Sequence, residues 1–138
     1  MSDPMQNLQV GSTASLSKTI TDADIVLFAG VSCDTNAVHL DDEYAATTRF
    51  GGRIAHGMLS ASLISAVIGT RLPGPGAIYL GQKLRFLAPV RPGDTVCAKA
   101  TVTEINREKR RLTLTTTCTV GDTTVIDGEA LVMVQAQS

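Results

Sequence analysis

The chain has 138 residues, 43% hydrophobic and 18% charged, which excludes a disordered chain and fits one domain, 1–138, able to bury its own core. Twelve Lys and Arg against thirteen Asp and Glu give a formal net charge of −1, without the basic excess that nucleic acid or an anionic membrane surface selects. Aromatics are 4% with no Trp, so a stacking platform for single-stranded nucleic acid is excluded as well.

In chain order, residues 8–17 read as a leading strand. Thr21 to Asp24 offer a helix start, with acids in the first turn where the helix dipole favours them. Ile25, Val26, Phe28, Ala29 and Val31 continue that short amphipathic helix. Residues 32–41 are polar and turn-forming, and a second short helix is expected across Asp41 to Ala46. Residues 57–69 are apolar or small on every side, with glycines at both ends, the pattern of a helix that becomes wrapped. Residues 70–76 are loop by composition. Four strands follow at 77–88, 95–105, 111–120 and 124–135, from period-two alternation rich in Thr and Val. Residues 107–110 and Gly121-Asp122 read as hairpin connections, so the last three strands form an antiparallel meander. The expectation is an α+β hotdog fold, an antiparallel sheet wrapped around one long buried helix. Its long edge strands invite pairing, so a homodimer is expected.

Cys33, Cys97 and Cys118 are odd in number and irregular in spacing, which does not suggest a disulfide framework. The start of the chain lacks the basic and apolar regions of a signal peptide, and no apolar run is long enough to span a bilayer. These features point to the cytoplasm with no membrane partner. With only His39 and His56 and no clustered Cys, no metal is expected. Gly74-Pro75-Gly76 is read as a turn rather than a nucleotide loop, and no G-x-S-x-G elbow is present.

Asp34-Thr35-Asn36-Ala37-Val38-His39 places a carboxylate, an amide and an imidazole within six residues. Such a turn can hold a water and move its protons, or can simply bond its own backbone. Ala55-His56-Gly57 opens the wrapped helix. The free N–H groups there suit a developing oxyanion, and Gly57 permits close approach, although a glycine can also just start a tightly wrapped helix. His56 reads as a packing or capping side chain. Cys33 beside Asp34 lacks the setting of a nucleophile. The basic run Arg107, Lys109, Arg110 and Arg111 reads as a solvated turn, and it competes with Lys83, Arg85 and Arg91 as a contact for phosphates.

The run from Phe28 to Ser65, with its D-x-N-x-x-H motif followed by HGM-L-x-x-S, closely resembles the MaoC-like hydratase family. Within it the (R)-specific enoyl-CoA hydratases are the nearest likeness. Similarity continues through Leu72-Pro73-Gly74, Tyr79-Leu80, Phe86, Pro89-Val90 and Gly93-Asp94. The resemblance implies that Asp34 and His39 form a catalytic dyad and that Asn36 is its supporting amide. It implies that Gly57 gives an N–H to the thioester carbonyl and that Ser65 lines the site and contacts the aspartate.

The implied reaction adds water to a trans-2-enoyl thioester of coenzyme A or acyl carrier protein, giving a (3R)-3-hydroxyacyl thioester. No cofactor is implied, because coenzyme A is part of the substrate. The branch of metabolism, polyhydroxyalkanoate precursor supply or fatty acid metabolism, stays open. Two departures stand out. Ala37 replaces the motif's usual proline, and Cys33 stands where glycine is common, which strains the backbone if that position needs φ > 0. A hotdog acyl-CoA thioesterase and a non-catalytic acyl-thioester binding module are the alternatives. For the acyl pocket, Val67 and Ile68 are the expected lining, because they lie deepest along the helix from Gly57.

Overall fold

A computed structural model describes residues 3–136; residues 1–2 and 137–138, at the two ends of the expected domain, lie outside the described residues. Five antiparallel strands form one sheet: β1 (Thr13–Thr19), β2 (Ala77–Phe86), β3 (Thr95–Asn106), β4 (Arg111–Val120) and β5 (Thr123–Val134). Their order across the sheet is β1-β3-β4-β5-β2, so the meander β3-β4-β5 is central and the two non-meander strands are the edges. Alternation along the central strands decides which face is inside. Val96, Ala98, Ala100 and Val102 of β3 face the core with Leu112, Leu114, Thr116 and Cys118 of β4.

That face closes on α4 (Gly57–Thr70), which packs against all five strands. Leu59, Leu63, Ile64, Val67 and Ile68 are buried in one cluster with the strand residues. Burying each such side chain is worth about 1.5–3 kcal/mol, so this helix anchors the sheet's curvature. The expected hotdog arrangement is therefore the observed one.

Three shorter helices lie outside the sheet. The helix α1 (Asp22–Ser32) opens on a capping box, with Thr21 Oγ1 accepting from Asp24 N–H and the Asp24 carboxylate accepting from Thr21 N–H. Next come α2 (Ala37–Leu40) and α3 (Asp42–Ala46).

Two expectations need correction. The leading strand begins at Thr13 rather than residue 8, because the preceding segment makes a 3₁₀ turn at Pro4–Asn7 and a reversal at Gly11, whose φ is +96°. The polar stretch 32–41 is not wholly loop, because Asn36 accepts from Val38 N–H and starts the single turn of α2.

In the basic turn between β3 and β4, Arg107 and Arg110 are committed to structure rather than free for a phosphate. Arg107 donates to the carbonyls of Met5 and Leu8 at 2.8 and 2.7 Å. Arg110 pairs with Asp3 through two bonds of 2.7 Å and holds that carboxyl down at about 2. Among the described residues, no helix is long and apolar enough to cross a membrane.

Burial raises the Cys118 thiol to about 12, with the neighbouring Cys97 adding to the shift, whereas Cys33 is exposed. Labelling at pH 8 is expected to modify Cys33 in the folded protein and Cys118 only on unfolding, because the thiolate is the reacting form. Mass mapping of the labelled peptides checks the order, and early labelling of Cys118 would contradict this core.

Candidate active site

The proposed acid–base groups converge on a cleft of about 450 Å³ between the α1–α2 connection, the start of α4 and the end of β2. Asp34, His39, His56, Gly57 and Ser60 line it on one side. Ile54, Met58, Phe86, Leu87, Val90, Val125 and Ile126 give it apolar walls.

Local bonding fixes the loop that carries Asp34. Ser32 Oγ donates to Phe28 carbonyl at 2.7 Å and accepts from Asp34 N–H at 3.1 Å. The Asp34 carboxylate accepts from Asn36 N–H at 3.3 Å, leaving its other oxygen for the cleft. Arg53 clamps the next turn. Its Nε donates to His39 carbonyl at 2.7 Å, and its guanidinium pairs with Asp22 of α1 and more loosely with Asp42 of α3. Arg53 was not singled out by the motif, since its partners lie 14 and 31 residues away.

His39 is 8% exposed and its Nδ1 lies 2.8 Å from Ile54 carbonyl. A carbonyl only accepts, so Nδ1 carries the proton and Nε2 presents its lone pair. His56 is 2% exposed, and its Nε2 lies 2.9 Å from Asp34 carbonyl. The two imidazoles stack at 3.8 Å between centroids and 25° between planes. His56 is thus more than packing, and it makes no side-chain cap on α4. The first N–H groups of this 14-residue helix therefore remain for a ligand, with the dipole's positive end behind them. At Gly57 a Cβ would come within 2.6 Å of the Phe86 ring, so only glycine lets that ring lie over the helix start.

A metal fits this cluster poorly. Side-chain atoms of Asp34, His39 and His56 lie within 4.8 Å of one another. Imidazole lone pairs lie in the ring planes, and two nearly parallel stacked planes cannot aim both lone pairs at one ion. A tetrahedral zinc with Zn–N of about 2.0–2.1 Å needs convergent ligands.

The remaining expectations divide. Asn36 serves α2 as its cap through Val38 N–H, and this is the support it gives the motif. Ser65 is exposed in the single chain, stands outside the cleft lining, and makes no hydrogen bond to Asp34 among the described residues. It shares with Met58, Ser62 and Gly69 the stripe of α4 turned away from the sheet. Ser60, one turn into α4, is the serine at the cleft, and its buried Oγ has no partner among the described residues. Val67 and Ile68 are corrected. Both are at most 1% exposed within the closed core, roughly 15 Å along the helix from Gly57, and the apolar walls come from other segments. Arg91, a candidate for phosphates, donates instead to the carbonyls of Phe50 and Gly52.

Comparison with known proteins places the chain by family and fold. The family described as "MaoC like domain" matches residues 6–125. An (R)-specific enoyl-CoA hydratase of Rhodospirillum rubrum is 60% identical over 132 residues, covering 96% of this chain and 92% of that protein. A 3-hydroxybutyryl-CoA dehydratase of Methylorubrum extorquens is 55% identical, covering 94% of this chain and 82% of that protein. Among solved structures, the (R)-hydratase from A. caviae involved in PHA biosynthesis superposes with a TM-score of 0.91 at 47% identity, covering 94% of this chain and 98% of that one.

Cys33 caps α1 at φ 65°, ψ 10°, the left-handed region that costs a non-glycine residue about 1–2 kcal/mol. Glycine relieves that strain but gains freedom in the unfolded chain. Cys33→Gly is expected to raise unfolding stability by about 0.5–1 kcal/mol, read from urea denaturation; a loss of stability would refute the strain.

Proposed function

The chain belongs to the MaoC-like domain family, and on that premise we propose that it adds water reversibly to a trans-2-enoyl-CoA, giving a (3R)-3-hydroxyacyl-CoA. The observation that carries this reading is one cleft holding the Asp34 carboxylate, the bare Nε2 of His39 and an uncapped helix N-terminus.

The chemistry follows from those three groups. The β-carbon of an enoyl thioester accepts water only if charge can move to the thioester oxygen. The Gly57 N–H and the α4 dipole would stabilise that oxygen as it becomes an enolate. Asp34 and His39 each present an acceptor, so a water between them is held by both protons with its lone pair toward the β-carbon. As the C–O bond forms, the pair takes a proton from the water. The enolate then collapses as the pair returns a proton to the α-carbon. The net change is one water added. The reading calls on no resident cofactor, and coenzyme A enters as part of the substrate. The apolar walls from Ile54 to Ile126 suit the acyl chain, replacing Val67 and Ile68 in that role.

Homodimerisation is supported by the edge strand β2, where Ile78, Tyr79 and Leu80 are 38–44% exposed. The outward stripe of α4 around Met58, Ser62 and Ser65 is likewise uncovered by the described residues. A second copy pairing along β2 would extend the sheet and cover both. Light scattering at micromolar concentration should give twice the 14.5 kDa of one chain, and a monomer mass would refute the pairing.

The functional test is loss of the conjugated absorbance of crotonyl-CoA, run beside a thiol-release assay. Hydration without free thiol supports the reading. Thiol release would make the protein a thioesterase, and binding without turnover a binding module. Asp34→Asn and His39→Ala should each slow hydration at least about 100-fold while the fold survives. Wild-type rates in either variant would remove the dyad.

A further inference from the structure

The imidazole of His56 has no part in the chemistry set out above, yet it is among the most enclosed polar side chains of the cleft. We propose that His56 is the positioning residue of the dyad, holding Asp34 by its main chain and His39 by its ring. This rests on the hydratase reading of the cleft and adds to it a residue that touches both reacting groups without reacting.

Three observations converge on it. First, Nε2 of His56 lies 2.9 Å from the carbonyl of Asp34, 22 residues earlier in the chain. The carbonyl must accept, so Nε2 carries the proton, and this bond ties the Asp34 loop to the start of α4. Second, the ring lies 3.8 Å from that of His39 with 25° between planes, so it forms the surface on which His39 rests. Third, the Phe28 ring of α1 meets the His56 ring at 4.9 Å and 59°, a tilted contact. Phe28, His56 and His39 thus form a chain of ring contacts that joins α1, the start of α4 and α2.

The stack supplies what the hydrogen bonds alone do not. The bond from His39 Nδ1 to Ile54 carbonyl fixes one atom of the ring but leaves rotation about that contact free. A flat neighbour at stacking distance removes this rotation and sets where Nε2 points. The Asp34 carboxylate itself takes only the local bond from Asn36 N–H, and holding the residue's carbonyl as well limits how far it can swing. Both effects are lost together if the ring is removed. Misplacing a catalytic group by about 1 Å can cost about 100-fold in rate.

The placement also accounts for the bare Nδ1 of His56, which is buried with no partner among the described residues. With Nε2 committed to Asp34, Nδ1 is left as a lone pair. A buried acceptor left without a partner is a cost that ordinary packing would avoid by using an apolar ring.

The test compares His56→Ala with two conservative variants. His56→Phe keeps a flat ring and loses the N–H. His56→Gln keeps an N–H and loses the ring. In the folded alanine variant kcat should fall about 10- to 100-fold with KM within about threefold of wild type, and each conservative variant should recover part of kcat.

A second readout does not depend on turnover. The chain holds two histidines, so ¹⁵N imidazole spectra are assigned by the variants themselves. In the wild type His39 should show the Nδ1–H tautomer. In His56→Ala its signals should move toward a tautomer mixture. Wild-type kcat in His56→Ala, or unmoved His39 signals in that folded variant, would overturn the proposal. If the alanine variant does not fold, the conservative pair is read alone. Reduced kcat with displaced His39 signals in either one supports the role, and wild-type behaviour in both overturns it. Failure of the wild-type protein to hydrate crotonyl-CoA would instead count against the hydratase reading, and the nitrogen spectra would still decide the positioning.

Discussion

Enclosure of α4 by the sheet is the constraint on which the rest depends. A helix apolar on every side can be stable in water only if something wraps it, and the five strands supply that cover. Once the helix is enclosed, its N-terminus has a fixed place and direction. His56 leaves that end without a side-chain cap, so its N–H groups are oriented by the core and face the cleft. A flexible loop could offer the same donors, but it would have to be ordered on each encounter with substrate. Here the hydrophobic core carries out that ordering during folding.

The cleft is assembled on this fixed end by main-chain carbonyls rather than by charge pairs between the reacting side chains. Ile54 carbonyl sets the tautomer of His39, Asp34 carbonyl sets that of His56, and His39 carbonyl receives Arg53. Carbonyl oxygens offer one role only, as acceptors, so they define proton positions without ambiguity. The carboxylate of Asp34 is left free to deal with water, since only one weak local bond from Asn36 N–H engages it. The same logic explains why the motif spans both loops. Each loop supplies the carbonyl that orders the other's imidazole.

Much of the fold was legible because its signals are local. The apolar and small residues of 57–69 announced the wrapped helix, and alternation in 95–105 and 111–120 announced strands whose inward faces are those observed. The turn of α2 was missed because Asn36 and Asp41 are residues that both cap helices and make turns, and one turn is too short to show a period. Asp34 and His39, five positions apart, left a turn bonding its own backbone open, and their pairing was suggested by the family resemblance; both line the one cleft. The cleft walls were not legible, since Ile54, Phe86, Val90 and Val125 come from segments that meet only through the sheet order. Val67 and Ile68 were placed at the pocket for a related reason. Helical spacing from Gly57 gives their depth along the axis, but which side of α4 faces the cleft is decided by where the sheet closes.

The two departures from the motif act in opposite places and leave the chemistry untouched. Cys33 sits at the left-handed end of α1, where it stores strain immediately before Asp34. Ala37 is the first residue of α2, a position that proline occupies without losing a needed N–H, and Asn36 before it, at φ −52°, ψ 129°, has the ψ that a following proline favours. The backbone is therefore already in the proline-compatible shape with alanine in place. Proline would act mainly by restricting the unfolded chain, worth about 0.4–1 kcal/mol, and would leave the geometry of His39 unchanged. What holds this loop in the present chain is the set of bonds through Ser32, Asn36 and Arg53, all of which tie to backbone atoms of the site. The site thus tolerates a costlier conformation at Cys33 and a less restricted one at Ala37, because neither residue bears the position of a reacting atom.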